Sequence, residues 1–371
     1  MQSTTLEVNR SSITETRVVV DDLGELAPNS VRLRIERFSI TANTVTYAEF
    51  GDMLDYWGFY PTGDPTWGRV PAMGWAEVVD STHGGVEVGS RYYGWFPMAE
   101  YVDLTVGVTA TGLRDDGAHR AAHAPVYRTV ERTDLDALHP SRSATPPDDL
   151  ADAEDRHALV RGLFLTGYLA DGFLDANGWF GASHVVVLSA SSKTAIGFAD
   201  CACRRDGLTV VGVTSPGNVD LVQQLGIYDS VVTYDDVATS VPDDVAGVVV
   251  VDMAGNGPAL NGLHDVLGDR ITYSMGVGRT HHDAPPAAPA SGPAPQTFFA
   301  PTALADMGSK GFDVAAFQAG MGDALHDFVE RTSDWLTVDR RNGPDAAAAA
   351  WGDVHDGRVA PSTGCIVSIH D

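Results

Sequence analysis

The chain has 371 residues and carries 50 Asp and Glu against 24 Lys and Arg, a formal net charge of −26 at pH 7. Such a surface repels nucleic acid and anionic lipid, because both are bound through basic clusters that neutralise phosphate. A hydrophobic fraction of 44% excludes disorder of the whole chain, and the length bounds the fold at about two or three domains. The acids are 39 Asp and 11 Glu, and the bases are 22 Arg and two Lys, Lys193 and Lys310. Dense carboxylates suit a surface kept hydrated at high salt, and equally the Asp and Arg drift of a GC-rich genome. Neither origin bears on catalysis. Met1 to Arg10 contains no basic region followed by an apolar run, so no secretory signal is expected. The longest apolar runs, Val185–Leu188 and Val248–Val251, are far short of a membrane span. Three cysteines, Cys201, Cys203 and Cys365, suit a reducing compartment and give no disulfide framework. A cytoplasmic protein is expected.

The first third reads as β-rich. Arg17–Val20, Val31–Ile35, Ala76–Val79 and Arg91–Trp95 are short apolar or alternating runs between Gly, Pro and Asp, as in an antiparallel barrel. Among them lies an aromatic segment, Tyr56, Trp57, Phe59 and Tyr60, with Trp67 beyond it. It suits the lining of a substrate pocket or a plug in a core or interface. Arg114 to Asp149 is polar, acidic and proline-bearing and reads as an insertion with at most one helix.

From Asp155 the apolar period becomes helical, through Leu159, Leu163, Phe164, Tyr168, Leu169 and Phe173. The continuous apolar run His184–Leu188 then has the length of a strand buried on both faces of a parallel sheet. After it the sequence predicts helix Thr194–Arg205, strand Thr209–Val213, helix Val219–Leu225 and strand Ser230–Thr233. Strand Gly247–Asp252, helix Ala259–Leu267 and strand Arg270–Met275 follow. This alternation specifies a doubly wound parallel α/β sheet. Asp283–Pro295 reads as a loop, Val314–Arg331 as a helix, Ala346–Ala350 as a helical patch and Cys365–Ile369 as a final strand.

In a doubly wound sheet the turn after the first strand binds phosphate. Here it is Ser189-Ala-Ser-Ser-Lys-Thr-Ala195, without the glycine fingerprint but built of small residues. Ser191, Ser192 and Thr194 offer hydroxyls and Lys193 an ammonium. A cation at a helix N-terminus is unfavourable unless an anion offsets it, so Lys193 is expected to meet phosphate rather than solvent alone. A Walker-type loop is rejected, because Leu188 and Ser189 stand where it needs glycine. After the second strand, Thr214-Ser-Pro-Gly-Asn218 holds no carboxylate for the ribose hydroxyls of NAD. Its absence removes the charge that would repel a 2′-phosphate, and Ser215 and Asn218 can donate to one. NADP(H) is therefore the expected cofactor.

The order of barrel, doubly wound domain and return strand resembles the zinc-free branch of the medium-chain dehydrogenases/reductases, the quinone oxidoreductase-like and enoyl reductase-like proteins. The resembling segments are Ser39–Tyr47 with Gly51, Gly89–Arg91, Gly94–Tyr101, Leu163–Tyr168, Val251–Gly255 and Gly364–Ile369. More closely, Ser189–Ala195, His119-Arg120, Asp252–Asn256, Thr280-His281 and Phe298–Thr302 look like an uncharacterised domain family within that superfamily. The resemblance implies an α/β protein with a GroES-like β-barrel catalytic domain, residues 1–160 with 332–371 and an insertion at about 114–149. A doubly wound Rossmann domain would span 161–331. By the same resemblance, Asn43 matches the residue that holds the nicotinamide end, and Tyr47 stands near the acidic tyrosine of some enoyl reductases, one helical turn or a strand step on. The turns at Met253, Ala254 and Gly255 and at Gly276, Val277 and Gly278 would flank the nicotinamide half. Ala195 and Thr214, with Tyr234 after the third strand, complete the expected cofactor set.

Catalytic zinc in this superfamily uses Cys and His near Ser39–Tyr47, which has neither, so no metal is expected. Cys201 and Cys203 point to different helix faces and both read as core. Tyr47 and His281 are the candidates for proton transfer; a barrel-wall tyrosine and a loop histidine are the plain alternatives. His119 and Arg120 read either as a cap on the cleft or as a solvated helix face. The expected activity is NADPH-dependent hydride transfer to an apolar carbonyl or activated alkene of quinone, enone or enoyl type. The alternative is an NADP(H)-binding sensor or non-catalytic partner with the same fold. The expected partners are a small apolar substrate and, by analogy, a second copy of the chain, with neither nucleic acid nor membrane.

Overall fold

The computed structural model describes residues 1–239, 241–245, 247–278 and 287–370. In chain order the first elements are β1 Gln2–Asn9, β2 Thr16–Asp22, β3 Ser30–Ile40, α1 Ala42–Glu49, β4 Trp67–Gly68 and β5 Pro71–Ser81. Then come β6 Arg91–Pro97, β7 Tyr101–Val108, β8 Gly112–Asp115, β9 Thr129–Arg132 and the long helix α2 Leu150–Ala176. The parallel segment follows as β10 His184–Leu188, α3 Lys193–Ala202, β11 Thr209–Thr214, α4 Val219–Gln224 and β12 Ser230–Thr233. It continues through β13 Val248–Asp252, α5 Gly257–Leu267, β14 Ile271–Gly276, β15 Gln296–Thr297, α6 Ala300–Ser309 and α7 Val314–Arg331. The chain ends in β16 Thr337–Asn342, α8 Pro344–His355 and β17 Thr363–Ser368. It divides into two compact units, Met1–Leu159 with Leu336–Asp371, and Val160–Trp335.

In the first unit eight strands form one sheet in the order β16-β17-β3-β5-β6-β9-β8-β7, and an extra pairing of β3 with β7 closes it into a barrel. A second sheet, β2-β1-β4, belongs to the same unit. The sequence hides β1 because its buried positions include Ser3, Thr5 and Glu7. Glu7 is tolerated there because Arg17 and Arg69 both bridge it, and an unpaired buried carboxylate would be costly. Arg114–Asp149, read as an insertion with at most one helix, instead supplies the end of β8 and all of β9 to the barrel wall and otherwise forms only short 3-10 turns. Four-residue strands bearing Arg114, Glu131 and Arg132 carry no apolar alternation, so no period marked them. β16 escaped for the same reason: its sequence is TVDRRN.

One charged network pins the start of α2 within this unit. Glu154, 3% exposed, receives both terminal nitrogens of Arg91 at 3.0 Å, Arg37 at 2.7 Å and His139 at 3.1 Å. Burial alone would raise this carboxyl, but the hydrogen bond from His139 and the bridges from Arg91 and Arg37 outweigh it and hold it down at about 2. Asp155 beside it is bridged by Arg37 and by Arg340 of β16.

The second unit carries a six-stranded, all-parallel sheet in the order β12-β11-β10-β13-β14-β15. That is the doubly wound order, with a topological switch point between β10 and β13. Val185–Leu188 and all of β13 are fully buried, as strands covered on both faces must be. Asn256 caps α5 by accepting from the Ala259 amide, and Asp313 caps α7 by accepting from Ala316.

Candidate functional site

The carboxyl ends of β10, β11, β12, β13 and β14 gather most of the expected cofactor residues within the second unit. The turn after β10 opens with Ser189 in the left-handed region, φ 58°, a conformation that normally calls for glycine. Tyr234 holds it. The Ser189 amide donates to the Tyr234 hydroxyl at 3.1 Å, and the two hydroxyls lie 3.1 Å apart. Ala190 is fully buried beneath the turn and its carbonyl accepts from Tyr228 at 3.0 Å. Ser192 is the N-cap of α3, its Oγ accepting from the Ala195 amide, which leaves Lys193 and Thr194 as the half-buried first residues of the helix.

Ser191 links two of the strand ends. Its Oγ accepts from Thr214 Oγ1 at 3.3 Å and from Asn218 Nδ2 at 3.1 Å, and Asn218 also donates to Ser215 Oγ at 3.0 Å. With both bonds arriving at its oxygen, the Ser191 hydroxyl keeps its own proton for a further acceptor. No carboxylate belongs to this cluster. The turn is therefore rich in donors, opens a helix whose N-terminal dipole favours anions, and carries a lysine at the first helical position.

On the other side of the switch point, Asp252 is 3% exposed and folds the next turn by accepting from the amides of Ala254 and Gly255 at 3.1 and 2.9 Å. Met253 and Ala254 are buried by it. The neighbouring turn meets it, with the Val277 amide donating to the Asp252 carbonyl at 2.8 Å. A Cβ on Gly278 would stand 2.8 Å from the Met253 carbonyl oxygen, so the two turns can touch only with glycine there. His281 and Arg279 lie outside the described residues.

The first unit holds the other two expected residues on α1. Thr41 caps this helix in a reciprocal capping box with Thr44, and the helix sets Asn43 and Tyr47 one turn apart on one face. Asn43 Nδ2 donates to Tyr47 Oη at 2.7 Å, and Trp95 Nε1 donates to the same oxygen at 3.4 Å. Burial pushes the Tyr47 phenol well above its ordinary range. With both contacts arriving as donors, the phenolic proton finds no acceptor among the described residues. Trp95 was not foreseen, because in the sequence it is one apolar residue in a strand 48 positions from Tyr47.

Other expectations change. Tyr56, Trp57, Phe59 and Tyr60 are 1 to 8% exposed and belong to the core of the first unit, Tyr56 packing on Tyr47 with ring centroids 4.7 Å apart. The segment is thus core, with only Trp67 half-buried. Arg120 is no part of a solvated helix face: it is 1% exposed, lies over the Phe59 ring at 3.8 Å and faces Asp115 at 3.2 Å. Cys203 is exposed and Cys201 half-buried, so neither is the core residue expected. Among the described residues no three or more His, Cys, Asp or Glu are grouped to hold a metal, and no helix is long and apolar enough to cross a membrane.

Residues 38–360 match the family described as "Protein of unknown function (DUF2855)". The chain belongs to this family. No curated protein matches it in sequence. Among solved structures it is similar to mycobacterial Rv1454c complexed with NADPH, at 14% identity, TM-score 0.59, over 98% of this chain and 99% of that one. It is also similar to CurA from Vibrio vulnificus in complex with NADPH, at 13% identity and TM-score 0.59 over all of both chains. A mutant form of the enoyl thioester reductase from Candida tropicalis matches at 11% identity and TM-score 0.58, over 99% of this chain and 100% of that one. At these identities the likeness establishes the fold, a GroES-like barrel with a Rossmann sheet, for this DUF2855 member.

Proposed function

We propose that this DUF2855 chain is an NADPH-dependent, zinc-free oxidoreductase that delivers hydride to an apolar carbonyl or activated alkene. The observation that carries the proposal is the donor-rich, carboxylate-free cluster formed by Ser191, Thr214, Ser215 and Asn218 beside Lys193. It suits a phosphorylated ribose, where an acidic residue would favour the free hydroxyls of NAD. The left-handed turn at Ser189 and the start of α3 suit the pyrophosphate. The turns Met253–Gly255 and Gly276–Gly278, at the ends of β13 and β14, are the residues proposed to take the nicotinamide half. Two of the similar structures were solved with NADPH, which supports the same reading.

Bound NADPH supplies the hydride. The chain supplies position and a proton. Asn43 and Trp95 fill the acceptor sites of Tyr47 Oη, which aims its O–H away from both and leaves it as the donor to an oxygen or carbon that gains charge. A phenol raised by burial stays protonated across the physiological range, so it is present as an acid at every working pH. Stopped-flow measurement of NADPH oxidation against quinones, enones and enoyl thioesters tests the reading. Turnover of at least one class, with Tyr47→Phe slowed, supports it. NADPH binding without oxidation by any of them replaces it with the sensor reading.

A further inference from the structure

The turn after β10 lacks the glycines that let a backbone approach a pyrophosphate, and other groups hold its backbone instead. The Ser189 amide donates to Tyr234 Oη at 3.1 Å. The Ser189 carbonyl accepts from the Ser192 amide at 2.8 Å, and the Ala190 amide donates to the Val213 carbonyl at 3.0 Å. The fourth group, the Ala190 carbonyl, belongs to a fully buried residue and would be costly to leave unpaired. Its partner is a side chain 38 positions away: Tyr228 Oη donates to it at 3.0 Å. Burial pushes this phenol well above its ordinary range, so it remains a donor at every working pH.

The surroundings of Tyr228 bring that hydroxyl to the turn. Tyr228 precedes β12, and Asp229 ties the segment to β11: its amide donates to the Val210 carbonyl at 2.9 Å and its carboxylate accepts from the Val210 amide at 2.7 Å. Ile227 and Tyr228 pack against the core that joins Ala195, Phe198 and Ala199 of α3 to Val210 of β11. Gly212, within β11, leaves the ring its path. A Cβ there would stand 2.9 Å from Tyr228 Cδ1 and 3.1 Å from Ala190 Cβ, so a larger residue would displace the ring or the turn. In a planar trans peptide the carbonyl and the N–H point in opposite directions. Because Tyr228 takes the Ala190 carbonyl, the Ser191 N–H of the same peptide points away from that ring. It sits on the residue whose hydroxyl, accepting from Thr214 and Asn218, also keeps its proton for a further acceptor.

We propose that Tyr228 is a positioning residue for the nucleotide turn: by holding the Ala190 carbonyl it presents the Ser191 amide to the pyrophosphate. This role rests on the NADPH reading above. The test is calorimetric titration of the full chain and of its Tyr228→Phe variant with NADPH, followed by phosphorus NMR of the bound nucleotide at saturation. Tyr228→Phe keeps the ring beside Gly212 and deletes only the donor. It is expected to weaken NADPH on the order of tenfold and to shift the pyrophosphate resonances while leaving the 2′-phosphate resonance in place. A side chain that merely stabilised the fold would lower the urea midpoint without that selective shift. Gly212→Ala, which crowds the same ring, is expected to produce the same pair of effects. A parent chain without saturable NADPH binding overturns the cofactor reading, and this role with it. Where the parent chain binds, unchanged affinity in both variants, or a shift that the 2′-phosphate shares equally, overturns the role of Tyr228 alone.

Discussion

At the scale of single residues, Lys193 and Tyr47 carry the proposed chemistry. In a chain with two lysines, one stands at the first position of α3, where the helix dipole opposes it unless an anion is present. Replacing Lys193 by Ala should weaken NADPH binding by about 1–3 kcal/mol, the range of a charge-assisted hydrogen bond; titration calorimetry checks it, and unchanged affinity removes the lysine from the nucleotide site. Tyr47→Phe keeps the ring against Tyr56 and deletes the proton. It should lower kcat on the order of 10²-fold with little change in the KM for NADPH, measured on whichever substrate the stopped-flow screen identifies. Both residues were legible in the sequence, Lys193 by rarity and position, Tyr47 by resemblance. Trp95, and the bond by which the expected Tyr234 holds Ser189, were not: Trp95 is 48 positions from Tyr47 and Tyr234 is 45 from Ser189, and no local spacing encodes either contact.

At the scale of elements, the parallel strands were the most legible part, because strands buried on both faces must be continuously apolar. β10, β12 and α7 run just as the sequence predicts, and β11, β13 and β14 differ from it by one residue at one or both ends. The first unit was less legible. Its strands β1, β8, β9 and β16 bury or bridge charged and hydroxyl side chains, so hydropathy does not alternate along them. The start of α2 shows what such bridging does. Glu154 has a pKa held down at about 2, so its contribution to stability is present above the ordinary carboxyl range and is lost as the pH falls toward about 2. Urea midpoints should therefore decline across that acid window, and Glu154→Gln should flatten the decline. The same variant should cost about 2–4 kcal/mol at neutral pH, since it leaves Arg91 and Arg37 facing a neutral amide in a buried place. At the turn after β14, Gly278→Ala forces a methyl to 2.8 Å from the Met253 carbonyl oxygen and should destabilise by about 1–3 kcal/mol, read from the same midpoints.

At the scale of the whole molecule, a net charge of −26 argues against phosphate polymers and anionic membranes as partners, and yet the proposed cofactor is itself a polyanion. The fold resolves the conflict locally. The cluster at the ends of β10 and β11 gathers hydroxyl and amide donors, a helix N-terminus and a lysine, and excludes carboxylates from the turn where NAD enzymes place one. On the proposed reading, a chain of strong net negative charge is thereby receptive to phosphate at the carboxyl ends of two adjacent strands. The most direct test is thermal unfolding of the full chain with NADPH and with NADH at equal concentration. The account predicts a rise in Tm with NADPH that exceeds the rise with NADH. Equal shifts would contradict the 2′-phosphate assignment, and no shift with either would contradict nucleotide binding altogether.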